Sequence, residues 1–478
     1  MFEQSRNLKL FGLMASIVLS CAAHAAEKTE ASVSFSKREL ATAAWIRDHA
    51  SKENQSYRIL ESLTTEVGSR MAGTPGDARA VAWAEAKFKE LGFDKVWKEA
   101  VRFPSWQRGV ESAEILAPFS QKLAVTALGN SISTPEAGIE AEIIRFATLN
   151  ELIAAPVESV RGKIVFIDHK MKSANDYGQV RQGRASGAVE AARKGALAII
   201  IRSVGTDSHR LPHTGGMHYA ADVMQIPAAA MSNVDADLVA RILMRGGPVK
   251  MALKLGSHAG EVMQSYNVIG EITGSELPNE YVLIGGHLDS WDLGTGAIDD
   301  GAGCAITMAA AEFLHRHGLR PRRSVRVILY ANEEQGLFGG SAYASEHQAQ
   351  LKQIQAAAEA DSGQGPVLQL DSFVGAKARK LVMQMQSVLA PLGVKKGTSD
   401  ADPGPDMGVL KSAGVPSFEL VLKSDDYFDI HHTADDTFDK IEPARITQAA
   451  AAFAVFAYLA AQAPIYFGEQ MPVVQKSH

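Results

Sequence analysis

The side chains best suited to chemistry in this sequence are His287 and Asp289, Asp299 and Asp300, Glu333 and Glu334, Asp361, and the pair His431 and His432. What precedes them groups them. An apolar run at residues 281–284 breaks at Gly285 and Gly286 directly before His287, and another at 325–330 empties into Glu333 and Glu334. Residues 354–359 lead to Asp361, and 416–422 to the loop that reaches His431 and His432. Strands that each end in a polar residue let an α/β protein assemble a site at the carboxyl edge of its sheet. Plainer readings exist for single members. Asp299 or Asp300 could cap a helix, worth about 0.5–2 kcal/mol, and Asp300 suits that task. Asp361 could cap a turn, and an isolated Glu-Glu pair is usually solvated. Adjacent carboxylates at the end of a buried strand are different, because they repel one another and lose hydration unless a cation or proton compensates. Taken together, the set points to a metal centre.

Histidine and carboxylate ligands without cysteine favour zinc, with manganese or cobalt as substitutes. Two ions sharing one carboxylate, about 3.5–4 Å apart, suit hydrolysis, since one activates water and the other polarises a carbonyl. One glutamate of the pair can then bind while its neighbour takes the proton of the water. His431 and His432 are not expected to serve together, because adjacent loop side chains diverge.

The elements that must position these groups follow from periodicity. Strands at 267–272, 281–284 and 324–330 alternate with a helix at 302–317, which predicts an α/β fold: a mostly parallel mixed sheet with helices on both faces. Helical spacing marks 39–48 and 77–91, with Gly92 as a stop, and 96–103 reads as a strand. The middle of the chain changes character, with strands at 162–167, 196–201 and 226–231 and helices at 185–194 and 234–244. It reads as a separate module at 121–261, inserted between catalytic segments 26–120 and 262–470, with a tail at 471–478. His209, His213 and His218 have no clustered acids beside them, so they are expected in solvated loops. Cys304, in an alanine-rich helix, reads as an inert buried thiol. The alanine run 449–461, inside a helix at 443–463, is too short and too weakly apolar to span a membrane and is expected to pack.

Composition narrows the class. The chain has 478 residues, 46% hydrophobic and 21% charged, enough for two or three globular domains. A net charge of −6 and the lack of a basic run argue against nucleic acid and for small molecules or peptides as partners. Arg6 and Lys9 precede an apolar stretch at 10–19, and Ala23-His24-Ala25 has the form of a secretory cleavage site. Export to the periplasm or exterior is expected, with residues 1–25 as the signal. A lipid anchor on Cys21 is the lesser alternative, because Leu19 before Ser20 fits a lipoprotein box poorly. Without residues 1–25 only Cys304 remains, so no intramolecular disulfide can form.

The motifs GGHLDSWD, AIDDGAG, NEEQGLFGG, EADSG and HHTADDT, in this order, resemble those of the M28 metallopeptidases, most closely their carboxypeptidase Q-like branch. The middle, with GKIVFID, GALAIIIRS and IPAAAMS, resembles a protease-associated domain, and VGSRMAGTPG resembles the start of the branch's catalytic domain. The resemblance implies an exopeptidase of zinc exopeptidase, phosphorylase/hydrolase-like fold that holds two zinc ions and cleaves dipeptides or short peptides. By motif, His287 and Asp361 match ligands of one ion, Glu334 and His432 ligands of the other, and Asp299 the bridging acid. Glu333 matches the general base and Asp289 the carboxylate that orients His287. A cis peptide at Asp299-Asp300 and a possible homodimer are also implied. The sequence departs from the pattern at Asp435 and at residues 405–408, which concerns substrate preference; Asp406 and Tyr427 are candidate substrate contacts. Alternatives are a one-metal glutaminyl cyclase-type acyltransferase on the same fold and a non-catalytic peptide-binding receptor. An M20-type hydrolase carries its extra domain between the late ligands, whereas this insert precedes His287.

Overall fold

The computed structural model describes residues 33–469 and 471. The expected signal at 1–25, with Cys21, and the tail beyond 471 lie outside the described residues. Strands Arg323–Tyr330, Leu277–His287, Ile354–Glu359 and Ser417–Leu422 lie side by side in that order, all parallel. Along Leu277–His287 consecutive side chains take opposite faces. Val282 and Ile284 enter a core shared with residues of the helices Lys37–Glu53, Ala302–Arg316 and Pro443–Gln462. Tyr281 and Leu283 pack instead with Tyr343, Met407 and Leu410 of Phe338–Glu346 and Pro405–Ser412. Burial on both faces is why these strands read as continuous apolar runs.

Both margins join this centre through antiparallel pairings. Lys95–Gln107 and His258–Ile272 form one margin, while Val367–Phe373 and the short Lys395–Lys396 form the other. The sheet is therefore mixed with a parallel middle, and it carries helices on both faces. Gly285 and Gly286 do not break their strand as expected; pairing continues to His287 opposite Tyr330. A Cβ on Gly285 would overlap the Ile328 carbonyl, and one on Gly286 the Asp300 carboxylate, so these glycines allow close approach rather than a turn.

The helix Pro443–Gln462 is long and apolar enough to cross a membrane, yet residues 449–461 are all buried, between Lys37–Glu53 and Ala302–Arg316. Alanine lets the three helices approach closely. Cys304 is fully buried and donates its thiol to the His287 carbonyl at 3.1 Å, and burial pushes its pKa far up.

Residues between Gln107 and His258 build a second sheet, ordered Gln121–Leu123, Glu111–Ala117, Lys250–Leu255, Ile139–Phe146, Ile164–Ile167, Ala198–Arg202, Ala228–Met231 and Val125–Ala127. It starts ahead of the expected boundary at 121, because Glu111–Ala117 pairs antiparallel with Lys250–Leu255. The chain crosses into and out of this sheet at one place. Gly256 N–H donates to the Val110 carbonyl at 2.9 Å, and a Cβ on Gly109 would overlap the Gly256 carbonyl. The crossings are thus at Gly109 and Gly256 rather than at 121 and 261.

Candidate metal centre and active site

His287 closes its strand with the ring turned to the carboxyl edge of the sheet. Its Nδ1 lies 3.0 Å from the Asp289 backbone carbonyl, which can only accept, so Nδ1 is the donor and Nε2 faces the site. Nε2 stands 3.2 Å from Asp299 Oδ1 and 3.7 Å from Asp361 Oδ1. The other oxygen of Asp299, Oδ2, lies 3.1 Å from His432 Nε2, which in turn is 3.0 Å from Glu334 Oε2. His432 Nδ1 faces the Thr214 carbonyl at 3.3 Å, repeating the arrangement at His287. Asp299 therefore divides its two oxygens between two sets of groups. One set is His287 and Asp361; the other is His432 and Glu334.

Asp299 sits in the turn Ala297–Gly301, and the Asp299-Asp300 peptide is cis. The turn is held from both sides. Asp436 accepts from Ile298 N–H at 2.6 Å and Asp299 N–H at 3.2 Å, while Asp300 accepts from His287 N–H and Gly303 N–H, both at 3.0 Å. Asp300 is fully buried and serves the turn and the helix start. The Asp289 carboxylate accepts from Glu333 N–H at 3.0 Å and Glu334 N–H at 3.3 Å. It stands 3.6 Å from His287 Nδ1, farther than the residue's own carbonyl, so its main hold is on the loop of the two glutamates.

The donor set suits a cation. Nε2 lone pairs face carboxylate oxygens, acceptor against acceptor, and such contacts hold only with a proton or metal between them. Asp299 Oδ2 and Glu334 Oε1 accept no hydrogen bond although both are buried. The ligand atoms of His287, Asp299 and Asp361 lie within 4.8 Å of one another, as do those of Asp299, His431 and His432. Burial pushes the carboxyl groups of Glu334 and Asp361 up, and Asp299 adds to this in both. Burial also acts on Asp299, but His287 and His432 hold it well below the usual carboxylate range. Glu333 is pushed well up by burial, with His287 opposing and Glu334 and Asp361 adding.

A cavity of about 700 Å³ opens on these groups. Asp299, Glu333, Glu334, Asp361, Tyr427, His431 and His432 line it from the first sheet, and Tyr177, Arg181, Arg184, Gly216 and His218 from the second. Asp406 does not line it. That side chain is fully buried, its Oδ1 accepts from Gly340 N–H at 2.8 Å, and burial pushes its pKa up to about 8, so it ties two helices together where a substrate contact was expected. His431 and His432 do not diverge either. His432 adopts φ 62°, a left-handed turn that stacks the two rings 3.5 Å apart, and His431 Nε2 comes within 3.7 Å of Asp299 Oδ2.

His209 and His218 are exposed as expected, but His213 is buried at 1% exposure between Asp207 and the His431 carbonyl. Arg184 is a further residue of the cavity wall. It is 8% exposed, donates to the Tyr177 hydroxyl at 3.0 Å, and meets no carboxylate at ion-pair distance among the described residues. Nothing in its local sequence signals this, since His432, the site residue it approaches, lies 248 residues away.

Carboxypeptidase Q of Rattus norvegicus is 40% identical to this chain over 409 residues, 86% of each protein, and that of Homo sapiens is 37% identical over the same share. Residues 267–457 match the sequence model of peptidase family M28. The chain belongs to peptidase family M28. Among solved M28 structures, a peptidase M28 precursor from Shewanella amazonensis SB2B is 47% identical, covering 92% of this chain and 99% of its own, with a TM-score of 0.88. A zinc aminopeptidase from Bacillus subtilis, at 19% identity and a TM-score of 0.62, shares the fold. This M28 member is a peptide hydrolase, and its segment 267–457 contains every residue of the two sets around Asp299.

Proposed function

We propose that this M28 peptidase is an exported di-zinc exopeptidase that hydrolyses dipeptides or short peptides. The observation that carries the di-zinc reading is the division of Asp299, one oxygen toward His287 and Asp361 and the other toward His432 and Glu334. In this reading His287, Asp361 and Asp299 hold one ion, and Glu334, His432 and Asp299 the other, with Asp289 fixing the loop between them. When bound, the two ions supply Lewis acidity for the scissile carbonyl and acidify the attacking water.

Glu333 is the general base. Its carboxyl lines the cavity and is held by the grip of Asp289 on its N–H, beside the two ligand sets and within neither. It takes the proton of the attacking water and returns it to the leaving amine. Tyr427 and Arg184 offer the substrate its polar contacts. The Tyr427 side chain lines the cavity next to His431, their rings 4.8 Å apart. Arg184 is a cation on the wall without an acid, and Arg181 on the same helix makes no ion pair among the described residues. A free substrate carboxylate suits both.

Two measurements test this. Zinc-loaded protein profiled against a dipeptide library is expected to hydrolyse free dipeptides, and C-terminal amidation is expected to lower kcat/KM by about 10–100-fold, the worth of a charged hydrogen bond. Failure to cleave any dipeptide or short peptide would end the exopeptidase reading. Metal analysis is expected to give two zinc ions per chain, and a single ion would end the di-zinc reading.

A further inference from the structure

The loop that carries His432 is held by the second sheet as much as by its own. Thr206 N–H donates to the Phe428 carbonyl at 3.1 Å, and Thr206 Oγ1 donates to Asp429 Oδ1 at 2.6 Å. His213 Nδ1 meets the His431 carbonyl at 2.7 Å, and Thr214 N–H donates to the His432 carbonyl at 3.0 Å. The Thr214 carbonyl then faces His432 Nδ1 at 3.3 Å. These contacts bracket a backbone conformation that a side-chain-bearing residue rarely adopts, φ 62° at His432. Bonds to the carbonyls of His431 and His432 fix the peptides on both sides of that turn.

His213 is itself held rigidly. Its Nε2 meets Asp207 Oδ2 at 2.7 Å, its N–H donates to Ser203 Oγ at 2.8 Å, and its ring lies so close over Gly205 that a Cβ there would overlap it. Asp207 is fixed in turn by Asn233 Nδ2 at 2.9 Å and His209 N–H at 2.6 Å. Thr214 is fixed by its hydroxyl, which donates to the Ala127 carbonyl at 2.8 Å and accepts from Arg108 at 3.2 Å. Arg108 also grips Asp292, five residues past His287, at 2.8 Å. The module inserted at Gly109 and Gly256 thus touches the His432 loop directly, and the segment after His287 only through Arg108, which precedes the crossing.

We propose that the inserted module is part of the metal centre, with His213 as a positioning residue that fixes His432 and thereby sets affinity for the second ion. The inference rests on the di-zinc reading. Outer contacts of this kind typically govern metal affinity by about 10–100-fold, because they orient the ligand ring before the ion arrives.

The test compares full-length protein with His213→Ala and His213→Asn, the latter keeping a donor where Nδ1 stands. Zinc retained per chain is measured against graded chelator, alongside the thermal midpoint of the metal-free protein. Wild type is expected to hold two ions. H213A is expected to hold the first with wild-type affinity and the second about 10–100-fold more weakly, with H213N recovering most of the loss. Wild-type affinity for both ions in H213A, or equal weakening of both, overturns the proposal. A wild type that binds fewer than two ions would instead overturn the di-zinc reading. Should H213A not fold, Thr206→Val carries the test: it removes only the hydroxyl bond to Asp429, and about fivefold weaker second-site binding is expected. Unchanged affinity there overturns the proposal.

Discussion

Glu333→Gln is expected to lower kcat by about 10²–10⁴-fold while both zinc ions stay bound and KM moves little, because proton transfer by a positioned carboxylate contributes a factor of that size. Glutamine keeps the shape and the N–H that Asp289 accepts, so the loop stays in place. What it lacks is a basic oxygen for the proton of water. Glu334→Gln should behave differently, since Glu334 Oε2 is the atom 3.0 Å from His432 Nε2, and that variant is expected to lose metal along with activity. Kinetics and zinc content measured together on the two variants separate the roles. Full activity in E333Q would remove Glu333 as the base, and retention of both ions in E334Q would remove Glu334 as a ligand.

The parallel centre of the sheet was legible because burial on both faces forces unbroken apolar runs, and each run led into a segment that carries a residue of the site. Ile354–Glu359 shows its full length in sequence for that reason. His258–Ile272 shows itself only from 267, because its first seven residues are exposed and do not alternate, and only pairing with Lys95–Gln107 makes them a strand. The start of the second sheet was hidden in the same way in Glu111–Ala117, whose side chains are mostly half-buried. At the site, residue types found the groups that face Asp299, but not what holds them. His213 and Arg184 meet His431 and His432 across more than 200 residues of sequence, and no local pattern encodes such a meeting. The stacking of His431 on His432 depended on one left-handed φ at a non-glycine residue, which composition does not announce.

Loss of Arg70 is expected to lower stability strongly. The residue lies in the loop between the π-turn at Leu63–Val67 and the helix Pro75–Glu90, yet its side chain is fully buried and makes no ion pair among the described residues. Its guanidinium donates instead to three carbonyls, Nε to Leu288 at 2.5 Å, Nη1 to Thr295 at 2.6 Å and Nη2 to Gly296 at 2.8 Å, while its own N–H donates to Ser290 Oγ at 3.2 Å. Those carbonyls lie on the segment that joins His287 to Asp299, so one planar fork fixes the spacing of two groups of the site. The cation is tolerated without a partner because the carbonyl dipoles and the nearby carboxylates replace its hydration. Arg70→Met keeps the bulk and removes the fork, leaving the carbonyls of Leu288 and Thr295 without donors at about 1–3 kcal/mol each, partly relieved by relaxation, while the Gly296 carbonyl keeps its bond from Gly301 N–H at 3.0 Å. A loss of about 3–5 kcal/mol in unfolding free energy is expected, together with weaker zinc retention. Arg70→Lys keeps the charge but not the planar geometry, and a single ammonium cannot match three carbonyls spread around a guanidinium, so only partial recovery is expected. Denaturant midpoints of the three proteins, read with and without zinc, decide the matter. A wild-type midpoint in R70M would show that the loop holds its shape without the fork, and the spacing of His287 and Asp299 would then have to be fixed from the other side, by Asp436 and Asp300.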